Sequence, residues 1–272
     1  MSRVVFVLLV AVAAMAQTKA PDPLAQARQL YNDHKYDEAI RRATDAQAVP
    51  ALASPASLVA ARAHLERFRE TGEPADLVAA RSALKAVRAE GLSARDRLDL
   101  MIALGESMYF DDEYGTDDRF SAAAEQFEVA LAHAGDLDLK SRDLLFDWWA
   151  SALDRQAQQD GETGRTALYE RVQRGAEREL ARDEGAASAS YWLAAASRGV
   201  HDLTRAIGAA SAGWVRAGTM GARGDALRAD LDRLMRQVIL PERAQELSVG
   251  AGLKPTFAIL EEQWQRLTDQ WR

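Results

Sequence analysis

The chain has 272 residues, 48% hydrophobic and 28% charged, with 7 Pro and no Cys. That composition supplies ample core and lies outside the disordered classes, and the lack of Cys excludes disulfides, thiolate nucleophiles and thiolate metal sites. The formal charge of −7 is spread, with Lys and Arg interspersed among Asp and Glu, so neither nucleic acid nor an anionic membrane is expected as a main partner. Ala, Leu, Arg and Glu dominate and strand formers are sparse, so an all-α protein is expected.

Met1-Ser2-Arg3 gives a positive end, Val4 to Ala14 is an uninterrupted apolar run, and Ala14-Met15-Ala16 before Gln17 fits the small-x-small rule of signal peptidase. Residues 1–16 are therefore expected to be a signal peptide cleaved after Ala16, and 17–272 a single domain that is periplasmic or secreted. The run is shorter than the about 20 apolar residues that span a bilayer, so no stable membrane span is expected after cleavage. No Cys follows it to carry a lipid.

Asp22-Pro23 is a helix start, with Asp as N-cap and Pro where its missing N–H costs nothing. Leu24, Ala27, Leu30 and Tyr31 form one apolar stripe, residues 32–35 a turn, and Tyr36, Ala39, Ile40, Ala43 and Ala46 a second stripe that ends before Pro50. Helices are next expected over Ser57–Arg69 and Asp76–Ala89, split by Thr71-Gly72-Glu73-Pro74. Ser93 to Asp96 reads as a capping box opening a helix through Leu98, Ile102, Gly105 and Met108. The acidic loop 111–118 follows, then a helix over 120–134 with Ala123, Phe127 and Ala130.

Further helices are expected over Leu144–Ala157 and Ala167–Arg182, with a polar loop at 158–164. Tyr191 to Ala217 reads as a helical hairpin interrupted at His201-Asp202, and Gly208 and Gly213 within it imply close approach of another element. Ala226–Leu240 is a helix stopped by Pro241. The last helix starts at Pro255, and Phe257, Leu260, Trp264, Leu267 and Trp271 make a single seam, as a terminal cap requires.

Written out, ARQLYNDHKYDEAIRRATDAQAVP resembles a tetratricopeptide repeat, with Ala27, Tyr36, Ala39, Ala46 and Pro50 in the family's slots. Leu104-Gly105 with residues 120–134, and the hairpin at 190–217, resemble further copies. The resemblance implies an α-solenoid of antiparallel hairpins with a C-terminal capping helix. It also implies a non-enzymatic scaffold that holds a protein or peptide partner in a concave groove. A weaker similarity is to the periplasmic helical component of tripartite solute transporters, which implies a small ligand in the groove instead.

The remaining motifs have plain explanations. The loop DDEYGTDD lacks EF-hand spacing, and His34, His64, His133 and His201 lie far apart, so no metal is expected. GETGRT at 161–166 has no Lys and no preceding strand, so it is a linker and not a phosphate loop. Arg223-Gly224-Asp225 is explained by Asp225 as an N-cap. No G-x-S-x-G occurs, and neither catalytic residues nor a cofactor are expected. Trp148, Trp149, Tyr191, Trp192 and Trp214 are the candidate groove residues. Adjacent Trp148 and Trp149 point about 100° apart on a helix, so either one lines a groove or, as the pattern favours, both pack, one within the hairpin and one against the next.

Overall fold

A computed structural model describes residues 22–110, 119–248 and 252–272; the expected leader and the acidic loop 111–118 lie outside them. The helices are α1 Pro23–Asn32, α2 Tyr36–Gln47, α3 Ala53–Thr71, α4 Pro74–Ala86, α5 Ala94–Tyr109, α6 Arg119–Ala132 and α7 Leu139–Gln159. They continue as α8 Glu162–Arg182, α9 Ala187–Gly199, α10 Leu203–Ala217, α11 Ala222–Leu234, α12 Leu240–Leu247 and α13 Leu253–Gln270. The protein is all-helical, without a strand among the described residues, and none of these helices is long and apolar enough to cross a membrane.

Helix starts follow the caps. Asp22 accepts the Leu24 N–H at 3.0 Å, Ser93 accepts the Asp96 N–H at 3.0 Å, and Asp202 accepts the Arg205 N–H at 2.9 Å. Each satisfies a first-turn donor that has no partner inside its helix. The Asp96 carboxylate in turn accepts the Ser93 hydroxyl at 2.8 Å, because Asp is too short to reach back to the Ser93 backbone as a capping-box Glu would.

One spacing recurs in the even-numbered helices. Tyr36, Ala39 and Ala43 on α2, Leu77, Ala80 and Leu84 on α4, and Phe120, Ala123 and Phe127 on α6 are all buried. Tyr169, Val172 and Ala176 on α8 and Leu203, Ala206 and Ala210 on α10 repeat the same large–small–apolar order. Steps of three and four residues put each triplet on one helix face, where small side chains let the neighbouring axis come near. Each helix from α1 to α10 packs on its successor, and α1, α3, α5, α7, α9 and α11 also pack one on the next.

The hairpin turns repeat as well. His34 and His201 are the only described non-glycine residues with positive φ, at 58° and 60°. In both turns the His N–H bonds three residues back, to Tyr31 and to Arg198, and the next N–H bonds five back, from Lys35 to Leu30 and from Asp202 to Ser197. This left-handed stop satisfies the last carbonyls of the first helix and turns the chain into the second.

Rings close over glycines along the stack. A Cβ on Gly105 would lie 2.6 Å from the Phe127 ring, on Gly175 2.5 Å from the Trp149 ring, and on Gly199 2.4 Å from the Tyr169 ring. In the hairpin 187–217, Gly213 meets Leu231 at 3.0 Å and Ser190 at 3.3 Å, as its position implied. Gly208 meets nothing within 4 Å, so its expected close approach is absent.

Several expected boundaries are corrected. Helix α3 begins at Ala53, not Ser57, because Pro55 falls in the first turn, where an N–H has no intrahelical partner to lose. Helix α7 begins at Leu139, capped by Asp138 through the Ser141 N–H at 2.9 Å; its exposed first turn carries no apolar period to read. The loop expected over 158–164 shrinks to Asp160-Gly161, and α8 opens at Glu162 with Gly164 in its first turn. Asp225 lies inside the first turn of α11, whose cap is Gly221 at φ 59°.

Pro241 does not turn the chain either. Helix continues from α11 through a π segment, Met235–Ile239, into α12, and the Leu240 N–H bonds five residues back to Met235. The wider turn leaves room for the proline ring against the preceding carbonyls, which a regular helix would not. Helix α13 lays Trp264 into the core with Phe257, Leu260 and Leu267 beside it. Trp271, expected on the same seam, is 47% exposed, since the helix ends before it.

Candidate functional site

The odd-numbered helices pack one on the next, and two cavities among them differ in how their charges are paired. At the N-terminal end α1, α3 and α5 surround a cavity of about 310 Å³ lined by Arg28, Tyr31, Arg62, Asp96 and Asp99 among others. Here the carboxylates carry their own cations. Arg28 reaches Asp96 at 2.6 Å, Arg62 reaches Asp99 at 2.9 Å, and Arg95 adds a second contact to Asp99 at 3.4 Å. The Arg62 guanidinium also lies 4.5 Å from the centre of the Tyr31 ring, whose hydroxyl donates to Glu66 at 3.4 Å. Glu106, beneath this layer, is the exception: burial first, and the neighbouring Glu66 next, push its carboxyl up to about 7.

At the C-terminal end α7, α9 and α11 surround a cavity of about 450 Å³ lined by Asp147, Ser188, Tyr191, Arg223, Leu227 and Asp230 among others. Asp147 accepts the Trp192 indole N–H at 2.7 Å, and Asp143, one turn earlier, accepts the Ser188 backbone N–H at 3.1 Å. Neither carboxylate forms an ion pair among the described residues. Burial pushes Asp143 up to about 6, against the pull of the Ser188 N–H and of Arg223. Burial also raises Asp147, with the Asp230 charge adding to it, and raises the Tyr191 phenol alongside the same carboxylates. Asp230 pairs only with exposed Arg233 on its own helix, at 3.2 Å.

The five candidate aromatics fall in four places. Tyr191 and Trp192 stand together, ring centres 5.4 Å apart, Tyr191 lining the α7–α9–α11 cavity and Trp192 buried behind it. Trp148 turns toward the preceding hairpin, 5.1 Å from Tyr109, 5.4 Å from Phe110 and 6.1 Å from Phe127. Trp149 turns into its own hairpin, 5.4 Å from Phe146 and against Gly175 of α8, and is 2% exposed. Both members of the pair therefore pack, in opposite directions. Trp214 stacks edge-on to Trp264 at 5.5 Å beneath the Arg228 guanidinium.

A further cavity of about 310 Å³ lies between α6 and α8, over Phe146 and Trp149. Its wall is the buried Arg142–Glu179 pair, a double contact at 2.7 and 2.8 Å that also uses the Leu131 carbonyl. Leu131, Ala132, Glu128, Arg178 and Arg182 also line it. Among the described residues no group of three His, Asp or Glu converges as a metal site. His64 instead bonds Asp76 at 2.8 Å, beside Arg67.

The aromatic content of the C-terminal cavity was visible in the sequence; Asp143, Asp147 and Asp230 were not singled out. Their signal was the spacing of Asp143, Asp147 and Asp154 on one face of α7, overlooked beside the wide apolar arc of the same helix. No family model matches the chain, and no curated protein and no solved structure matches it either.

Proposed function

We propose that the chain is an exported, non-enzymatic scaffold: a tetratricopeptide-like solenoid, periplasmic or secreted, that holds a segment of a protein partner on the odd-helix face. The repeat reading is supported by the shared buried triplets on five even helices and by the paired His34 and His201 turns. Stacked hairpins of this kind leave one helix of each pair along a common surface, suited to an extended segment. The observation that carries the function is the α7–α9–α11 cavity, where partly accessible Tyr191 and the Asp147 carboxylate, without an ion pair among the described residues, border open space.

The test is site-specific photocrosslinking in cells with the photoreactive residue at position 191, and at exposed Glu125 on α6 as a control. A discrete adduct at 191 and none at 125 is the expected result; equal patterns at both would remove the assignment. Mature protein beginning at Gln17 in the exported fraction checks the compartment.

A second reading, a small solute held in the same cavity, is favoured by its volume, which falls within the range of small-ligand sites. Native mass spectrometry of freshly isolated protein decides it, since a retained solute adds a fixed mass. Detection of the bare chain alone would sink it.

A further inference from the structure

The two halves of the odd-helix face serve as each other's control. In both, odd-numbered helices pack one on the next, and both place carboxylates partly out of water. In the N-terminal half Asp96 and Asp99 are met across helices by Arg28 and Arg62. In the C-terminal half Asp143 and Asp147, one helical turn apart, meet only an N–H each, from Ser188 and Trp192. Two like charges at that separation repel, and a carboxylate withdrawn from water without a cation is costly. Arg223, on the cavity rim, acts on Asp143 from beyond ion-pair distance. Asp230 adds a third negative charge from α11.

We infer that the α7–α9–α11 cavity receives a Lys or Arg side chain of the partner segment, its cation seated against Asp147, Asp230 and the Tyr191 ring. The inference rests on the scaffold reading and narrows it to a basic partner. Charge complementarity selects the occupant: two carboxylates face one rim arginine, Asp147 has no ion pair among the described residues, Asp230 is met only by exposed Arg233 of its own helix, and the Tyr191 ring is available for cation–π contact. Apolar Leu227 and Ala187 at the base match the methylene stem of such a side chain.

The test is calorimetric titration of the full mature protein with a short capped peptide of alternating Lys and Ala, its Glu–Ala counterpart, and spermidine. The Lys peptide is expected to bind and the Glu peptide not. The double variant Asp147→Asn, Asp230→Asn should weaken binding about tenfold, and Tyr191→Leu, which leaves all charges in place, about threefold. A control that removes the same charge from exposed even-helix positions, Glu125→Gln with Glu162→Gln, should stay within about twofold. The Asn variants keep side-chain shape, and the Tyr191→Leu result stands by itself should they unfold.

Equal weakening by both double variants would mean diffuse attraction to an acidic protein and overturn the inference, as would no binding of the Lys peptide. Spermidine binding as tightly as the peptide, with the same sensitivity to Asp147→Asn and Asp230→Asn, would replace the peptide by a small polyamine. A crosslinked partner retained equally by the wild type and the double variant would keep the scaffold and remove the cationic contact.

Discussion

Along one face of this protein the N-terminal half closes its electrostatics internally and the C-terminal half leaves them open. Arg28 and Arg62 tie α1 and α3 to α5 through Asp96 and Asp99, whereas Asp143 and Asp147 join α7 to α9 through N–H donors, with no ion pair among the described residues. A closed network adds specificity of packing and little for a partner to use. An open one keeps interaction free energy in reserve, released only when a charge of opposite sign arrives. The proposed scaffold assigns the closed half to structure and the open half to a partner.

Four measurements break or sharpen that comparison, from the largest expected effect downward. Arg62→Met leaves Asp99 only the longer contact to exposed Arg95 and removes the guanidinium over Tyr31, so urea unfolding should register a loss of about 3 kcal/mol. No substitution of Asp143 or Asp147 should approach that loss. Gly105→Ala and Gly175→Ala push a methyl into the Phe127 and Trp149 rings, one in each half. Each should cost about 2 kcal/mol in thermal or urea unfolding, because the halves share packing even though they differ in charge. Unequal losses would mean that the halves differ in more than electrostatics.

The pH dependence is next. Glu106 has a folded-state value of about 7 against an ordinary 4.5, so the folded state holds its proton more tightly than the unfolded chain. Its contribution is present below about pH 4.5 and is lost as pH rises to 7. Glu106→Gln should flatten that decline, and an unchanged stability-versus-pH curve would show that Glu106 does not titrate there. The smallest effect is Asp143→Asn. With the carboxyl raised from 3.8 to about 6, ionisation opposes folding across that window. The variant should gain about 1 kcal/mol at pH 7.5, after allowance for water at a partly exposed site, and almost nothing at pH 4. A loss at pH 7.5 would mean that the Asp143 charge is already compensated within the chain.

Local chemistry was the legible part of the sequence. The caps at Asp22 and Ser93, the stripes of α1, α2, α5 and α6, and the division of Trp148 from Trp149 all follow from spacing and donor–acceptor needs within a few residues. Helix starts lying outside the apolar period were harder to see, as at Leu139 and Glu162, where exposed first turns carry no hydrophobic signal. Pro241 misled because a proline implies a break unless the turn before it widens, and that widening is set by packing of Met235 and Ile239 in the core.

The candidate site was half legible. Tyr191 and Trp192 stood out by type, but Asp143 and Asp147 look in sequence like any other carboxylates on an amphipathic helix. Whether a carboxylate has a cation depends on which helices are neighbours: Arg28 and Asp96 are 68 residues apart, and Trp192 and Asp147 are 45 apart. By itself, then, the sequence determined an all-helical chain, its caps and its buried stripes, because each rests on periodicity and on backbone groups satisfied within one or two turns. The tertiary structure alone decided which rings cover which glycines, how Pro241 is absorbed, and which half of the odd-helix face lacks its counter-ions. Those depend on distances between helices that share no local sequence, and an ion pair or a close contact exists only once both sides have been placed.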